Sequence, residues 1–374
     1  MRKFTVLVMA LGALLQSCGD SGVTLTVVND SDIDRNSEIV DIDTAAMNGM
    51  CSQAFRITDA EGAEVPYQLT YDGKLIFPAS VAAHSSARYK ITAGASASAP
   101  DTLVCGDYYP QRKDDVAWEN ERSAYRAYGP ALEESGEHAY GYDIWTKSVT
   151  HPIVSQRYYN DLECGISFHK DHGDGMDVYA VGPTLGGGTA ALIDSLGNIV
   201  YPYCYSRYEI LDNGPLRFTV RLDYNSGETR LISLDSGEFL NKTTVSFANA
   251  DSGYDIAPGI VVHRQNSDGY VFMPDEGIMA YSDLTEDADA DNGIIFVGVV
   301  APEAENLEYA PLDQPAGDAV AHLLARSRYT TSASYTYYWG SGWSKGSMPD
   351  CRSWCDYLTT FRARIDNPLK VEVE

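Results

Sequence analysis

The polar stretch at residues 168–179 contains the densest group of side chains that could carry acid–base or metal chemistry. His169 and His172 stand three residues apart, with three aspartates and two glycines between and after them. Imidazole titrates near neutral pH and also binds divalent metals, so a turn here could form either a metal site or an acid–base pair. The alternative is a solvated acidic loop whose histidines make only structural hydrogen bonds. The glycines and the adjacent Tyr179 favour a pocket in which backbone approaches a ligand.

Upstream of this stretch, two arginines are spaced as if on one strand. Period-two alternation would place Arg122, Ala124 and Arg126 on the same face, where two guanidinium groups could bind one carboxylate. The alternative is an exposed strand whose arginines pair with surface acids, which contributes only about 0 to 1 kcal/mol per pair. Both interpretations remain open at this point.

Aromatic side chains stand beside charged and amide groups in two further stretches. This combination suits sugar recognition, because rings cover the apolar face of a pyranose while polar groups bind its hydroxyls. The alternative is that the rings fill a β-sheet core, since Tyr and Trp favour strands. The candidates are Trp145, Lys147, Arg157, Tyr158 and Tyr159 in the first stretch, and Trp339 and Trp343 in the second.

Composition limits the partners of these side chains. The chain has 374 residues, of which 44% are apolar, so it is long enough for a large core. It carries 53 acidic against 27 basic residues, a formal charge of −26, which would repel nucleic acid and anionic lipid headgroups. An anionic ligand would therefore need a local cluster of basic groups.

Short alternating runs separated by turn signals predict an all-β fold. Residues 23–98 are expected to form a small N-terminal antiparallel β-domain, which ends in an Ala-, Ser- and Gly-rich linker. Residues 99–374 are expected to form a large antiparallel two-sheet domain. The run 293–300 is apolar on both alternations and predicts a central strand. Helix candidates are few, and the best is 353–358.

The N-terminus predicts a lipoprotein. Residues 1–17 combine Arg2 and Lys3 with an apolar run that is well short of the roughly 20 residues needed to cross a bilayer. We expect cleavage before a lipidated Cys18, and residues 18–22 as a flexible tether. The protein would then be anchored to the outer membrane of a Gram-negative cell, facing the periplasm or the outside. Its only membrane contact would be through the lipid on Cys18.

Six further cysteines could pair outside the cytoplasm, but the sequence does not assign their connectivity. Zinc binding by Cys351 and Cys355 is not favoured, because no histidine follows at ligand spacing. Structural thiols or disulfides are the expected state of these side chains.

Six motifs occur in order along the chain, at residues 118–122, 125–130, 143–145, 169–177, 213–217 and 340–343. Taken together they resemble a family of secreted proteins that carry a domain of unknown function and are encoded in bacterial polysaccharide-utilisation clusters. The resemblance spans roughly Val23 to the C-terminus. It implies a fold similar to the galactose-mutarotase supersandwich. For some members it implies a role resembling an oligosaccharide dehydratase that acts on terminal uronic acids in ulvan breakdown.

The implied reaction can be compared with the residues. Loss of water from a uronate needs a base for the proton alpha to the carboxylate, a cation to stabilise the aci-carboxylate and an acid for the beta hydroxyl. The candidates are His172 or Tyr158 as base, Arg126 with Arg122 or Lys147 as cation, and His169 or Tyr159 as acid. Trp145, Arg157, Asp177, Trp339 and Trp343 are further candidates for substrate contact, together with Arg122 and Tyr159.

Two other functions stay open. A glycoside hydrolase would need two carboxylates roughly 5 to 10 Å apart, for which Asp177 and Glu119 are the first candidates. A non-catalytic glycan-binding lipoprotein is the other alternative. In each case the expected partner is an oligosaccharide or polysaccharide. The sequence requires no cofactor, although it allows a divalent metal.

Overall fold

The computed structural model describes residues 22–47, 49–97, 101–248, 253–284, 290–330 and 333–374. Strands dominate these ranges, and all pairings between named strands are antiparallel. The predicted all-β fold, a small N-terminal β-domain followed by a large two-sheet sandwich, is confirmed. The predicted signal segment 1–17 and the lipid acceptor Cys18 lie outside the described residues. No helix in the described ranges is long and apolar enough to cross a bilayer.

Two small sheets pack together near the N-terminus. Alternate residues of the first strand, Val23, Leu25 and Val27, are buried, as the period of a half-buried strand requires. The strands of this part are β1 (Val23–Asn29), β2 (Arg35–Asp43), β3 (Phe55–Thr58), β4 (Glu64–Val65), β5 (Gln68–Leu69), β6 (Lys74–Val81) and β7 (Ser85–Ala93). One sheet has β1, β7, β3 and β4 in that order, and the other has β2, β6 and β5.

A four-stranded sheet and two helices follow. The elements are β8 (Cys105–Tyr109), β9 (Asp115–Glu119), β10 (Ser123–Ala127), α1 (Pro130–Glu134), β11 (Asp143–Thr146) and α2 (Val154–Cys164). The strand order is β11, β10, β9, β8. One face of this sheet contributes Trp118, Tyr125 and Ile144 to the main core. The other face carries the small side chains of Ala117 and Ala124, which leave room for α2 to pack against it.

Helix α2 is a difference from the sequence analysis, which named a helix only at 353–358. Gly165 ends it with φ +67°, a left-handed conformation that glycine adopts at little cost. Adjacent helical residues project about 100° apart. Tyr158 is therefore buried beneath the helix, whereas Tyr159 is 57% exposed.

Two large sheets form the main sandwich. The elements are β12 (Gly187–Ile193), β13 (Ile199–Val200), β14 (Arg207–Asn213), β15 (Arg217–Asp223), β16 (Glu228–Asp235), β17 (Leu240–Phe247), β18 (Asp255–His263), β19 (Tyr270–Met273), β20 (Ile278–Asp283), β21 (Ile295–Val300), β22 (Asn306–Ala316), β23 (Ala319–Arg328) and β24 (Tyr335–Trp343). The five-stranded sheet has the order β13, β12, β18, β23, β22, and the eight-stranded sheet has β14, β15, β16, β17, β24, β21, β20, β19. Strand β21 is buried throughout and lies inside the larger sheet, which confirms the predicted central strand.

The C-terminus returns to the N-terminal sheets. Helix α3 (Cys351–Asp366) contains the predicted helix and begins where the Asp350 carboxylate accepts a hydrogen bond from Ser353 N, at 2.8 Å. It packs on the outer face of the eight-stranded sheet. The last strand, β25 (Lys370–Val373), pairs with β1. The division at residues 98 and 99 stays a prediction.

Candidate active site

Strand register brings four charged side chains to one face of the four-stranded sheet. Arg126 on β10 pairs directly with Asp143 on β11, so their side chains lie on the same face. Trp145 shares that face and forms an isolated bridge with Asp177. On β9, Ala117 lies opposite Arg126. Asp115, two residues before Ala117, is on the same face and lies diagonally across from Arg126. The β9–β10 hairpin, strand β11 and the segment at Asp177 thus bring their side chains together.

These four side chains form an ion cluster, here called the aspartate cluster (Asp115, Arg126, Asp143 and Asp177). Arg126 Nη2 contacts the carboxylates of Asp143 and Asp177, the latter at 3.0 Å, and its Nη1 lies 3.6 Å from Asp115 Oδ2. Tyr158 from α2 donates a hydrogen bond to Asp115 Oδ2, at 3.1 Å. Each charged side chain of the cluster is 6% exposed or less. Water therefore screens these charges little.

Burial raises the pKa values of the three carboxyls in the aspartate cluster. It raises the pKa of Asp143 to about 7 and the pKa values of Asp115 and Asp177 to about 6, although the Arg126 guanidinium opposes each rise. Because three carboxyls share one arginine, the protons belong to the cluster as a whole. A carboxyl that keeps its proton near pH 7 can serve as a general acid.

His169, Arg112 and Tyr128 lie at the edge of the cluster, His169 exposed and the other two half-buried. His169 Nδ1 donates to the backbone oxygen of Asp177, at 2.7 Å, and its side chain is 61% exposed. Its Nε2 is therefore the ring nitrogen free to accept a proton. Tyr128 lies beside Arg126, whose guanidinium carbon is 4.9 Å from the Tyr128 ring centroid.

Arg112 is a second, half-buried cation near the aspartate cluster. Its guanidinium carbon lies 4.9 Å from the Phe168 ring centroid and 6.0 Å from that of Tyr158. The positive charge of Arg112 acts together with Arg126 to oppose the burial-driven rise in the pKa values of Asp115 and Asp177. Arg112 forms no ion pair with any residue that the structure describes.

Lys147 lies on the same sheet face, but its ammonium group is fully occupied. Its Nζ donates to Glu119 Oε2 at 2.6 Å and to the backbone oxygens of Asn120 and His151 at 2.7 and 3.0 Å. An ammonium group has three donors, and all three are used. The structure therefore does not leave Lys147 available for a substrate carboxylate, contrary to the sequence-based prediction.

Glu119 anchors the start of α2. Its carboxylate accepts hydrogen bonds from the backbone nitrogens of Ile153 and Val154, at 2.8 to 2.9 Å. These are amides that the first turn of a helix leaves without an intrahelical partner. Glu119 is thus held by Lys147 and by the helix, and it does not form a catalytic pair with Asp177 in this arrangement.

Comparison with known proteins identifies the family. Residues 27–371 match the family described as Domain of unknown function (DUF4861). The chain belongs to this family. The resemblance predicted from the six sequence motifs is thereby confirmed. A relative of the DUF4861 chain is Uncharacterized protein P7 of Formosa agariphila, which is 26% identical over 399 aligned residues that cover 98% of each chain.

Two solved structures are similar to the DUF4861 chain at low levels. An alpha-mannosidase from Enterococcus faecalis V583 has a TM-score of 0.44 and 9% identity, and the match covers 94% of this chain and 46% of the other. A Glycosyl Hydrolase Family 38 protein from Enterococcus faecalis has a TM-score of 0.43 and 8% identity, with 94% and 47% covered. The DUF4861 chain spans about half the length of these structures.

The two candidate histidines of the DUF4861 chain, His169 and His172, do not converge. His172 is exposed and donates from Nε2 to the backbone oxygen of Ser167, at 3.0 Å, whereas His169 faces Asp177. Asp171 accepts hydrogen bonds from Gly173 N and Gly175 N, which closes the turn between them. Within the described ranges there is no group of three His, Cys, Asp or Glu side chains that could hold a metal ion.

The predicted pair of arginines is not formed in the DUF4861 chain. Arg122 precedes β10, and its guanidinium carbon lies 5.4 Å from the Phe239 ring centroid. Arg126 instead points into the aspartate cluster. The prediction assumed that the strand already includes residue 122, but β10 begins at Ser123.

Arg157 holds the segment after α2 against the helix. It donates to the backbone oxygens of Lys170, at 3.3 Å, and Gly175, and it pairs with Asp174. Arg157 therefore positions the segment that carries His169, and its guanidinium is committed to those contacts. The six cysteines in the described ranges, Cys51, Cys105, Cys164, Cys204, Cys351 and Cys355, are free thiols.

The two predicted tryptophan contacts lie in the sandwich core. Trp339 stacks on Tyr142 with ring centroids 4.2 Å apart and donates from Nε1 to Thr243 Oγ1, at 2.8 Å. Trp343 is also buried and donates to the backbone oxygen of Asn292. Neither ring is available to a sugar in this arrangement, so the sheet-core alternative holds for both. Trp145 is equally buried, but it packs beneath Arg126 at the site, with 5.5 Å between guanidinium carbon and ring centroid.

Sequence reasoning missed four members of the site: Asp115, Asp143, Arg112 and Tyr128. Asp115 and Asp143 could have been found from the alternation of side chains along paired strands. Once β9, β10 and β11 are paired, one face of the sheet carries alternate residues of each strand: 115, 117 and 119; 124 and 126; and 143, 145 and 147. The pairing itself was not evident from the sequence, because it joins β10 to β11 across the excursion that contains α1.

Proposed function

We propose that this DUF4861 protein is a carbohydrate-active enzyme of polysaccharide degradation and that it removes water from uronic-acid-terminated oligosaccharides. The observation that carries the proposal is the aspartate cluster, in which buried carboxyls with pKa values raised to about 6 to 7 meet one arginine and the Tyr158 hydroxyl. Perturbed carboxyls grouped in this way are typical of acid–base sites. The motif resemblance to proteins of polysaccharide-utilisation clusters supports the substrate class.

Unpartnered buried atoms also support a functional site here. Asp115 Oδ1 and two nitrogens of Arg126, Nε and Nη1, are buried and make no hydrogen bond within the described part of the chain. Buried polar atoms without a partner are uncommon in folded proteins because they lose solvation without compensation. A substrate hydroxyl or a water reaching the cluster would satisfy them.

Each step of the elimination has a candidate residue. Arg112, which has no acidic partner in the described ranges, binds the substrate carboxylate and stabilises the charge that develops on it. His169 Nε2 removes the proton alpha to that carboxylate. The electrons of the broken C–H bond form the double bond as the beta C–O bond breaks, and Tyr158 donates the proton that turns the leaving hydroxyl into water. The proton gained by His169 returns to Tyr158 through solvent and Asp115.

The acid and base roles differ from the first expectation for a physical reason. Burial, together with the Asp115 charge, raises the pKa of Tyr158 well above its usual value despite the opposing Arg126, so this phenol keeps its proton. Tyr158 is therefore assigned as the acid. His169 is exposed with a free ring nitrogen, which suits a base. His172 and Tyr159 do not contact the cluster and are not assigned a role.

The test is incubation of the purified protein with a panel of uronate-terminated oligosaccharides, followed by mass spectrometry and near-ultraviolet absorption. We expect a product lighter by one water that contains a conjugated double bond, and we expect Tyr158→Phe to lose it. A split into saturated sugars, or binding without any product, would contradict the elimination.

A glycoside hydrolase is a second candidate, and a specific contact favours it. Asp143 and Asp177 each place a carboxylate oxygen on the same nitrogen, Arg126 Nη2. Since each contact is at hydrogen-bond distance, the two oxygens lie within about 6 Å of each other. Retaining glycosidases hold their two carboxyls about 5 to 5.5 Å apart. The saturated product in the assay above would select this activity.

We further propose that the protein is a lipoprotein anchored through Cys18 to the outer membrane of a Gram-negative cell. The support is the short apolar run that ends before Cys18. Labelling cells with a radioactive fatty acid should label the wild-type protein but not Cys18→Ser. Equal labelling of the two would contradict the assignment.

A further inference from the structure

A cavity of about 350 Å³ lies between the N-terminal sheets and the outer face of the eight-stranded sheet. Strands β2 and β6 form one side, β15 to β17 and Tyr338 of β24 form another, and α3 closes the end. Its volume falls within the range of about 300 to 1,000 Å³ typical of small-molecule sites. It shares no lining residue with the aspartate cluster, so it is a separate site.

Ion pairs line the cavity wall. Arg217 binds Asp235 through two contacts, at 2.5 and 2.7 Å, and Lys74 binds Asp41 at 2.5 Å. The two-contact pair of Arg217 and Asp235 keeps its geometry, and both pairs retain lone pairs and protons for further hydrogen bonds. The wall thus offers donors and acceptors side by side, which is what a hydroxyl group requires, since it is both donor and acceptor.

Helix α3 contributes a third ion pair. Arg364 binds Glu238 through two contacts, both at 2.8 Å, and approaches Glu38 Oε2 at 3.7 Å. This arginine therefore joins α3 to both the eight-stranded sheet and the N-terminal part of the chain. The ligand-facing wall is built from three parts of the fold.

Aromatic rings complete the wall. Tyr71 is 49% exposed at the cavity, and Tyr338 and Phe361 also line it. Rings beside hydrogen-bonding groups match the two surfaces of a pyranose, one apolar and one rich in hydroxyls. Lys242 stands among them, exposed on β17, and forms no ion pair within the described ranges.

The charge balance of the wall decides the type of sugar. Six acids, Glu38, Asp41, Asp72, Asp212, Asp235 and Glu238, stand against four bases, Lys74, Arg217, Lys242 and Arg364. The excess of two negative charges disfavours a carboxylate or sulfate. An uncharged polyhydroxylated ligand is the class that fits.

We propose that this cavity is a second carbohydrate-binding site, specific for uncharged sugar units. Lys242 and the paired charges hydrogen-bond the hydroxyls, and the rings of Tyr71 and Tyr338 contact the apolar face. This proposal does not depend on the proposed elimination, which concerns a charged sugar at another sheet. The two sites could be occupied at the same time.

The test is saturation-transfer NMR on the purified protein with the methyl glycosides of glucose, galactose, mannose, xylose and rhamnose, and with glucuronic acid as the charged comparison. We expect at least one neutral glycoside to bind more tightly than glucuronic acid at this site. Ser233→Trp, which fills the cavity, should abolish that binding. Lys242→Ala should weaken it about 3- to 10-fold, as expected for loss of a hydrogen bond.

Matched variants separate the cavity from general effects. Thr229→Trp places the same side chain on the same strand outside the cavity, and Arg328→Ala removes a cation from the other large sheet; both should bind like the wild type. Thermal unfolding checks that Ser233→Trp is folded, and Lys242→Ala provides the test if it is not. Unchanged binding in Lys242→Ala, tighter binding of glucuronic acid that Ser233→Trp abolishes, or no binding by the wild type would each overturn the proposal.

Discussion

Arg126 on β10 lies directly opposite Asp143 on β11, and the two side chains form a buried ion pair that Asp177 and Asp115 join from either side. Among the residues that the structure describes, Arg126 is the cation that forms ion pairs with all three buried carboxyls, and Arg112 adds a second positive charge near Asp115 and Asp177. Removal of Arg126 and the titration of its partners are the two most direct ways to probe the site.

Arg126→Met should lower the free energy of unfolding by about 3 to 5 kcal/mol at pH 7, because three buried carboxyls lose their cation. The loss should shrink at pH 4, where the carboxyls are protonated. Urea unfolding followed by circular dichroism at the two pH values measures both effects. Arg122→Met is the control, since Arg122 forms no ion pair in the described ranges. This substitution should lower the free energy of unfolding by less than Arg126→Met does. Equal losses for Arg126→Met at the two pH values would show that charge is not the cause.

Asp143→Asn should flatten the dependence of stability on pH. Burial raises the pKa of Asp143 in the folded protein to about 7, above its value of about 4 in the unfolded chain. The folded state then holds the extra proton between these values, so wild-type stability falls as pH rises from about 4 to 7 and levels off above that.

The measurement is urea unfolding of Asp143→Asn and wild type from pH 4 to 8. The free energy of unfolding of the variant should increase relative to that of the wild type as the pH rises. Glu61→Gln, an exposed acid in a turn, is the control and should follow the wild-type profile. Parallel curves for Asp143→Asn and wild type would argue against a raised pKa.

Lys147→Met should destabilise the protein by about 3 to 5 kcal/mol, because Glu119 keeps a buried charge without its partner. The double variant Lys147→Met with Glu119→Leu should recover part of this loss, as removal of both charges avoids the unpaired one. A double-mutant cycle by urea unfolding gives the coupling energy. Additive losses would mean that the two residues act independently.

Tyr158→Phe should reduce kcat by about 10²- to 10⁴-fold, the usual contribution of a general acid, at a stability cost of only about 1 kcal/mol. Steady-state kinetics on a uronate-terminated substrate and thermal unfolding provide the two values. Tyr159→Phe, the adjacent and exposed tyrosine, should keep wild-type kinetics. Equal effects of the two substitutions would remove Tyr158 from the mechanism.

His169→Ala should remove most of the activity, whereas His172→Ala should leave it unchanged. The reason is position: His169 contacts Asp177 at the site edge, and His172 only donates to the Ser167 carbonyl. Steady-state rates of both variants on a uronate-terminated substrate test the difference. If loss of His172 slowed turnover as much as loss of His169, the base would have to be reassigned.

The sequence by itself determined the class of the fold and several of its elements. Alternation and turn signals gave an all-β chain, a fully apolar run located β21, and α3 contained the one predicted helix. These features depend on local periodicity, which a sequence displays directly. Local clustering also singled out Arg126, Tyr158, His169 and Asp177, all of which the structure brings together.

Only the tertiary structure decided which residues share the site and which chemistry they have. Asp115 and Asp143 join Arg126 because β9, β10 and β11 pair in one register, and alternation alone does not specify a partner strand. Trp339 and Lys147 resembled ligand contacts in sequence, yet the sandwich core buries one and the start of α2 engages the other. The raised pKa values arise only where α2 and the segment after it exclude water from the sheet face, because desolvation is a property of the packed molecule.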